Sequence, residues 1–136
     1  MTDFRTVTDG FSVSPQISLE DLDAAKAQGF ALIINNRPDG EAPGQPPSAA
    51  IEARARLLGL DYAYVPVAGG PTPGQVAAVR AAVQAATGPV LAYCRSGTRS
   101  IITWSLGALG AGEKRRSDLV ELGEKAGYDL SGVLPG

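Results

Sequence analysis

Apolar residues along this chain gather in short runs, and amphipathic stretches separate one run from the next. Phe11 to Ser14 (FSVS) reads as a short first strand. Phe30 to Asn35 (FALIIN) is a continuous, partly β-branched apolar run, the pattern of a strand buried on both faces. Leu60 to Val67 (LDYAYVPV) and Val90 to Tyr93 (VLAY) read as two more strands. The intervening stretches have helical spacing and recognisable ends. Ser18 with Asp21 forms a capping-box pattern that opens a helix over LEDLDAAKAQ, stopped by Gly29. Ser48 is placed to cap AAIEARARLL, closed by Gly59. Thr72 caps a helix over Gly74 to Ala86, ended by Thr87-Gly88-Pro89. A further helix runs from Arg99 through Leu109 and is broken by Gly110 and Gly112. Ser117 is placed to cap a last helix reaching Ala126, and the tail GYDLSGVLPG is expected to pack loosely.

Strands alternating with helices predict an α/β fold, a central and largely parallel sheet flanked by helices. With no internal repeat, the 136 residues fit one domain, 1–136. In such sheets ligands bind beyond the carboxyl ends of the strands. Three loops leave those ends, NRPDGE, AGGPTP and CRSGTR, so they are expected to converge on one edge.

Composition narrows the chemistry. The hydrophobic fraction of 44% and charged fraction of 19% are ordinary for a globular protein. A net charge of -2 argues against a nucleic-acid partner. No apolar stretch is long enough to span a bilayer, which argues against a membrane partner. The polar, acidic start MTDFRTVTDG lacks the pattern of a signal peptide, so the expected location is the cytoplasm. One cysteine precludes an internal disulfide, and the absence of histidine removes Ser-His-Asp and Cys-His catalysis and most zinc and haem sites. Neither a metal nor a cofactor is expected.

What remains is the loop Cys94-Arg95-Ser96-Gly97-Thr98-Arg99, between an apolar strand and a helix. Amides from Arg95 to Arg99 can curl into a nest for an anion, and the helix that follows adds its positive end. Gly97 permits the sharp bend. Arg99 can fold back to give an oxyanion a two-pronged grip. The same field is expected to favour a thiolate at Cys94. Ser100 is placed to hydrogen-bond the sulfur. A lone cysteine is more often a buried apolar residue than a nucleophile. Two arginines at the unfavourable end of a helix, however, point to a bound anion that offsets them.

The span from Phe11 to Trp104, carrying FSVSPQIS, NNRPDGE and PVLAYCRSGTRS, resembles the phosphatase-like domain of bacterial β-lactamase hydrolase-like proteins. That domain also occurs alone and beside persulfide-handling enzymes. Residues 113–136, the last helix and tail, lie outside the resemblance. It implies a fold similar to tyrosine and dual-specificity phosphatases, with Cys94 as nucleophile, Arg99 as the anion-gripping arginine and Arg95, Ser96, Gly97 and Thr98 as the cradle. The loop length instead resembles rhodaneses. Phosphatases of that fold have five residues between Cys and Arg and a histidine before the Cys; here there are four, and Tyr93 precedes Cys94.

Three readings follow. A shorter cradle suits the outer sulfur of a persulfide, and AGGPTP offers no carboxylate where the phosphatases carry a general acid worth roughly 10²–10⁴ in rate. The favoured expectation is therefore a sulfurtransferase that forms a Cys94 persulfide from a sulfane-sulfur donor and passes it to a thiol acceptor. The alternative is a phosphomonoesterase working through a Cys94 phosphocysteine, with Asp39 or Glu41 on NRPDGE as acid. Pro38-Asp39-Gly40 is ordinary turn chemistry, which ranks the turn above the acid. Arg37 either adds charge to the pocket or pairs with Glu41. A non-catalytic module binding phosphate or sulfate is the third reading. Trp104, Leu106 and Leu109 are explained by core packing. Lys114, Arg115 and Arg116 are explained by a solvated helix start.

Overall fold

A computed structural model of the chain describes residues 2–136. Five strands and five helices follow one another: β1 (Arg5–Thr8), β2 (Phe11–Ser14), α1 (Leu19–Ala27), β3 (Leu32–Asn35), α2 (Ser48–Leu57), β4 (Asp61–Tyr64), α3 (Pro73–Ala85), β5 (Val90–Tyr93), α4 (Thr98–Gly110) and α5 (Arg116–Ala126). The sheet order is β1-β2-β5-β3-β4. β2, β5, β3 and β4 run parallel, and β1 pairs antiparallel with β2.

β5 lies at the centre, and its alternating side chains divide the core. Val90 and Ala92 join Leu32, Ile34, Phe11 and Val13 against Val79 of α3, Ile101 of α4 and Leu119 of α5. Leu91 and Tyr93 join Ile33 on the opposite face, against Leu22 of α1 and Ile51 of α2. Burial on both faces is why β3 and β5 read as continuous apolar runs. Trp104 of α4 stacks on Phe11, ring centroids 4.7 Å apart. Among the described residues, no helix is long and apolar enough to cross a membrane.

The capping boxes of Ser18 with Asp21 and of Thr72 with Gln75 form as their sequences predict. Four features differ from expectation. β1 was not predicted because it is an edge strand with only Val7 buried, so its sequence carries no apolar alternation. Ser48 does not cap α2 but is its first residue. The Ser48 amide donates to Asp39 Oδ1 at 2.8 Å, and its hydroxyl pairs with Tyr62 Oη at 2.7 Å. Ser117 lies inside α5, whose start is closed instead by the Arg115 amide donating to Asp118 Oδ2. The tail is not loose: Tyr128, Leu130 and Leu134 enter the core. Arg116 ties the tail down by donating to the carbonyls of Leu134 and Ser131, a more specific role than a solvated helix start.

Candidate active site

The loop between β5 and α4 places Cys94 at the end of the central strand, fully buried. Gly97 has φ +93 and directs its N–H at Cys94 Sγ, 3.1 Å away. Among the described residues, no protein acceptor takes the N–H of Arg95, Ser96 or Arg99, which leaves them for an anion at the positive end of α4. Ser96 and Thr98 hydroxyls bond each other at 2.9 Å on the rim. The Arg95 side chain is exposed, and its carbonyl accepts from the Gln16 amide at 3.2 Å. Ser100 departs from expectation: its hydroxyl is buried and makes no hydrogen bond, to sulfur or to anything else. The sulfur takes its donor from the loop backbone, on the side of Gly97.

The three predicted loops do meet here. Arg99 Nη1 donates to Val67 O at 2.8 Å, which ties it to the segment after β4. Its fork grips Glu41 from the loop after β3, at 2.7 and 2.8 Å. A fourth loop, after β2, joins them through Gln16. Arg37 is buried beneath, donating from Nε to Glu41 Oε1 at 3.0 Å and from Nη1 to Gln16 Oε1 at 3.1 Å. Arg37 thus pairs with Glu41 and sits in the same charged row. The Arg99 fork above all, helped by Arg37, holds the Glu41 carboxyl down at about 2. In return the Glu41 pair raises Arg99 above its ordinary value.

Asp39 is brought to the same loop but not to the sulfur. Its Oδ1 caps α2 through Ser48 N, and its own amide donates to Tyr64 Oη at 3.0 Å. The carboxylate satisfies an orphan donor at a helix start, a capping role that the sequence did not suggest. Two grooves, of about 440 and about 460 Å³, lie against Arg80 on the α3–α4 face; neither is lined by Cys94, Arg99 or Glu41.

Sequence reasoning missed Gln16 and Tyr128. Tyr128 Oη donates to the Ser96 carbonyl at 2.8 Å from the tail. It also missed a buried row beside Tyr93, in which Asn35 Nδ2 donates to Tyr62 Oη and Tyr62 meets Ser48. Burial pushes Tyr62 and Tyr93 above the usual tyrosine range, so both hydroxyls stay neutral.

Comparison with known proteins places the chain in a family. The family described as "Beta-lactamase hydrolase-like protein, phosphatase-like domain" matches residues 3–111. A Beta-lactamase hydrolase-like protein of Agrobacterium fabrum is 37% identical over 125 residues, 91% of this chain. The chain spans only 29% of that relative's length. A crystal structure from Neisseria meningitidis, of a protein inferred to be a phosphatase, superimposes with TM-score 0.86 at 28% identity, covering 97% of this chain and 94% of that one. P. aeruginosa TpbA in complex with pTyr gives TM-score 0.68 at 14% identity, covering 95% and 76%. The architecture is that of the tyrosine phosphatases.

Proposed function

Because the chain belongs to the family of phosphatase-like domains of β-lactamase hydrolase-like proteins, we propose that it is a cysteine-dependent phosphomonoesterase acting on aryl phosphates. One observation carries this: a buried sulfur at the start of α4 that receives the Gly97 N–H, in a loop whose Arg95, Ser96 and Arg99 amides have no protein acceptor. A phosphoryl dianion seated there meets N–H donors, the helix end and the Arg99 fork together. The Cys94 thiolate attacks phosphorus; the S–P bond forms as the P–O bond breaks, and the phenolate leaves. Water then cleaves the phosphocysteine, releasing phosphate and the thiolate.

The substrate class follows from the missing acid. Asp39 is spent on capping α2, and Glu41 is an ionised partner of two arginines. A leaving group that needs no proton is therefore favoured, and a phenolate, with a conjugate acid near pKa about 10, meets that need far better than an alkoxide. The pTyr held by TpbA is of this class.

Sulfur transfer is the second reading. It is favoured by the four-residue spacing between Cys94 and Arg99 and by the same lack of a free acid, since sulfite or a thiolate leaves unaided. The comparisons support phosphate better. Hydrolysis of p-nitrophenyl phosphate by the wild type, lost in Cys94→Ser, supports the esterase. No hydrolysis, with a single sulfur added to Cys94 by thiosulfate or glutathione persulfide, supports sulfur transfer instead.

A further inference from the structure

Tyr128 lies beyond residues 3–111, the span the family matches, yet its hydroxyl reaches the active-site loop. It donates to the Ser96 carbonyl oxygen at 2.8 Å. That carbonyl and the Gly97 N–H belong to one planar peptide unit and point to opposite sides of it. The N–H end is the donor 3.1 Å from Cys94 Sγ. We propose that Tyr128 is a positioning residue for the nucleophile: by holding the Ser96 carbonyl, it fixes the peptide whose N–H is aimed at the sulfur.

This peptide needs fixing. Glycine at 97 occupies φ +93, and glycine crosses between backbone regions more freely than any other residue, so the unit is prone to turn over. A donor on the carbonyl end resists that rotation. It also polarises the amide, which strengthens the N–H toward sulfur. Tyr128 is itself held firmly. Its amide donates to Gly123 O at 2.8 Å. The Arg5 guanidinium lies over its ring, 5.1 Å from the centroid, and Arg5 is tied in turn to Asp3 and to the Ala126 carbonyl. Burial raises the Tyr128 hydroxyl above its ordinary value, so it remains a donor. The fit also restricts position 97. A Cβ there would fall inside the van der Waals shell of Tyr128 Oη and 3.0 Å from Cζ. Edge strand β1, through Arg5, and the tail, through Tyr128, therefore both act on the loop.

The proposal rests on Cys94 as the nucleophile, whichever atom it attacks. Its test needs no substrate. Proton–nitrogen spectra of the full chain are compared for wild type, Cys94→Ser, Tyr128→Phe and the double variant, with hydrogen exchange at the Gly97 amide. Phenylalanine keeps the ring and removes only the hydroxyl, and thermal melting confirms folding. The expected result is a Gly97 resonance that moves on Cys94→Ser in the wild-type background but not in Tyr128→Phe. Gly97 exchange should be about tenfold faster in Tyr128→Phe, the effect of losing one hydrogen bond. A Gly97 amide with the same shift and exchange in Tyr128→Phe as in wild type overturns the proposal. Turnover gives a separate reading: p-nitrophenyl phosphate hydrolysis should slow about three- to tenfold in Tyr128→Phe. Absence of hydrolysis by the wild type counts against the esterase, while the Gly97 amide still decides the role of Tyr128.

Discussion

Replacing Glu41 by glutamine removes the carboxylate seated on Arg99 while keeping the side chain's length. Both Glu41 oxygens face the Arg99 fork, at 2.7 and 2.8 Å, and one also receives Arg37 Nε at 3.0 Å. That fork is the group a phosphoryl anion needs, so substrate and Glu41 compete for it. The carboxyl falls from 4.5 to about 2 in the folded chain. Converted in full, the fall is worth about 3 kcal/mol. The Glu41 side chain is 28% exposed, and solvent screening leaves about 1 kcal/mol. Released from that competition, Arg99 should bind inorganic phosphate about fivefold more tightly in Glu41→Gln, measured by titration calorimetry near neutral pH. The same substitution should lower Tm by about 3 °C. Because folding depresses the Glu41 pKa, its stabilisation is complete above about 4.5 and is lost as pH falls toward about 2. The wild-type and Glu41→Gln melting temperatures should therefore converge across that window. Weaker phosphate binding in Glu41→Gln would refute the competition and make Glu41 a brace for Arg99. A fall in kcat of about 10²-fold or more at unchanged phosphate affinity would instead make it the general acid.

Three other substitutions probe separate parts of the account. Asp39→Asn should keep both turnover and stability, since asparagine caps as well as aspartate, whereas Asp39→Ala should lose about 1 kcal/mol in urea unfolding. A loss of about 10²-fold in kcat for Asp39→Asn would show an acid role. Gly97→Ala meets both a left-handed backbone, φ +93, and the Tyr128 hydroxyl. It should cost about 1–3 kcal/mol and most of the turnover, and an unchanged urea midpoint would contradict that packing. Leu130→Ala should cost about 2–4 kcal/mol because the side chain is 1% exposed in the core, and a cost below about 0.5 kcal/mol would mean the tail is loose after all.

The parts of this molecule legible in its sequence are those written locally. β3 and β5 announce themselves as apolar runs, and the Cys94 loop holds its cysteine, glycine and arginine within six consecutive residues. The rest is written between distant positions. Glu41 and Arg99 lie 58 residues apart, and Tyr128 and Ser96 lie 32 apart. Pairing of that kind leaves no periodic trace. Asp39 looked like turn chemistry, and its cap on α2 becomes visible only once Ser48 is known to begin a helix after Pro47, which has no side-chain acceptor. β1 does carry one local signal: Asp9-Gly10 between RTVT and FSVS is a hairpin dipeptide. The buried tail followed from no pattern, because Tyr128, Leu130 and Leu134 lie beyond the last helix, outside any element whose period would mark them.

The central claim, that Cys94 accepts a phosphoryl group, is tested most directly by intact-mass analysis during turnover. Wild-type protein is mixed with p-nitrophenyl phosphate and quenched within the first turnovers, with Cys94→Ser treated alongside. The account predicts one phosphoryl group on the wild-type chain, mapped to Cys94, and none on the variant. An unmodified Cys94 during active turnover, or turnover that persists in Cys94→Ser, would contradict it.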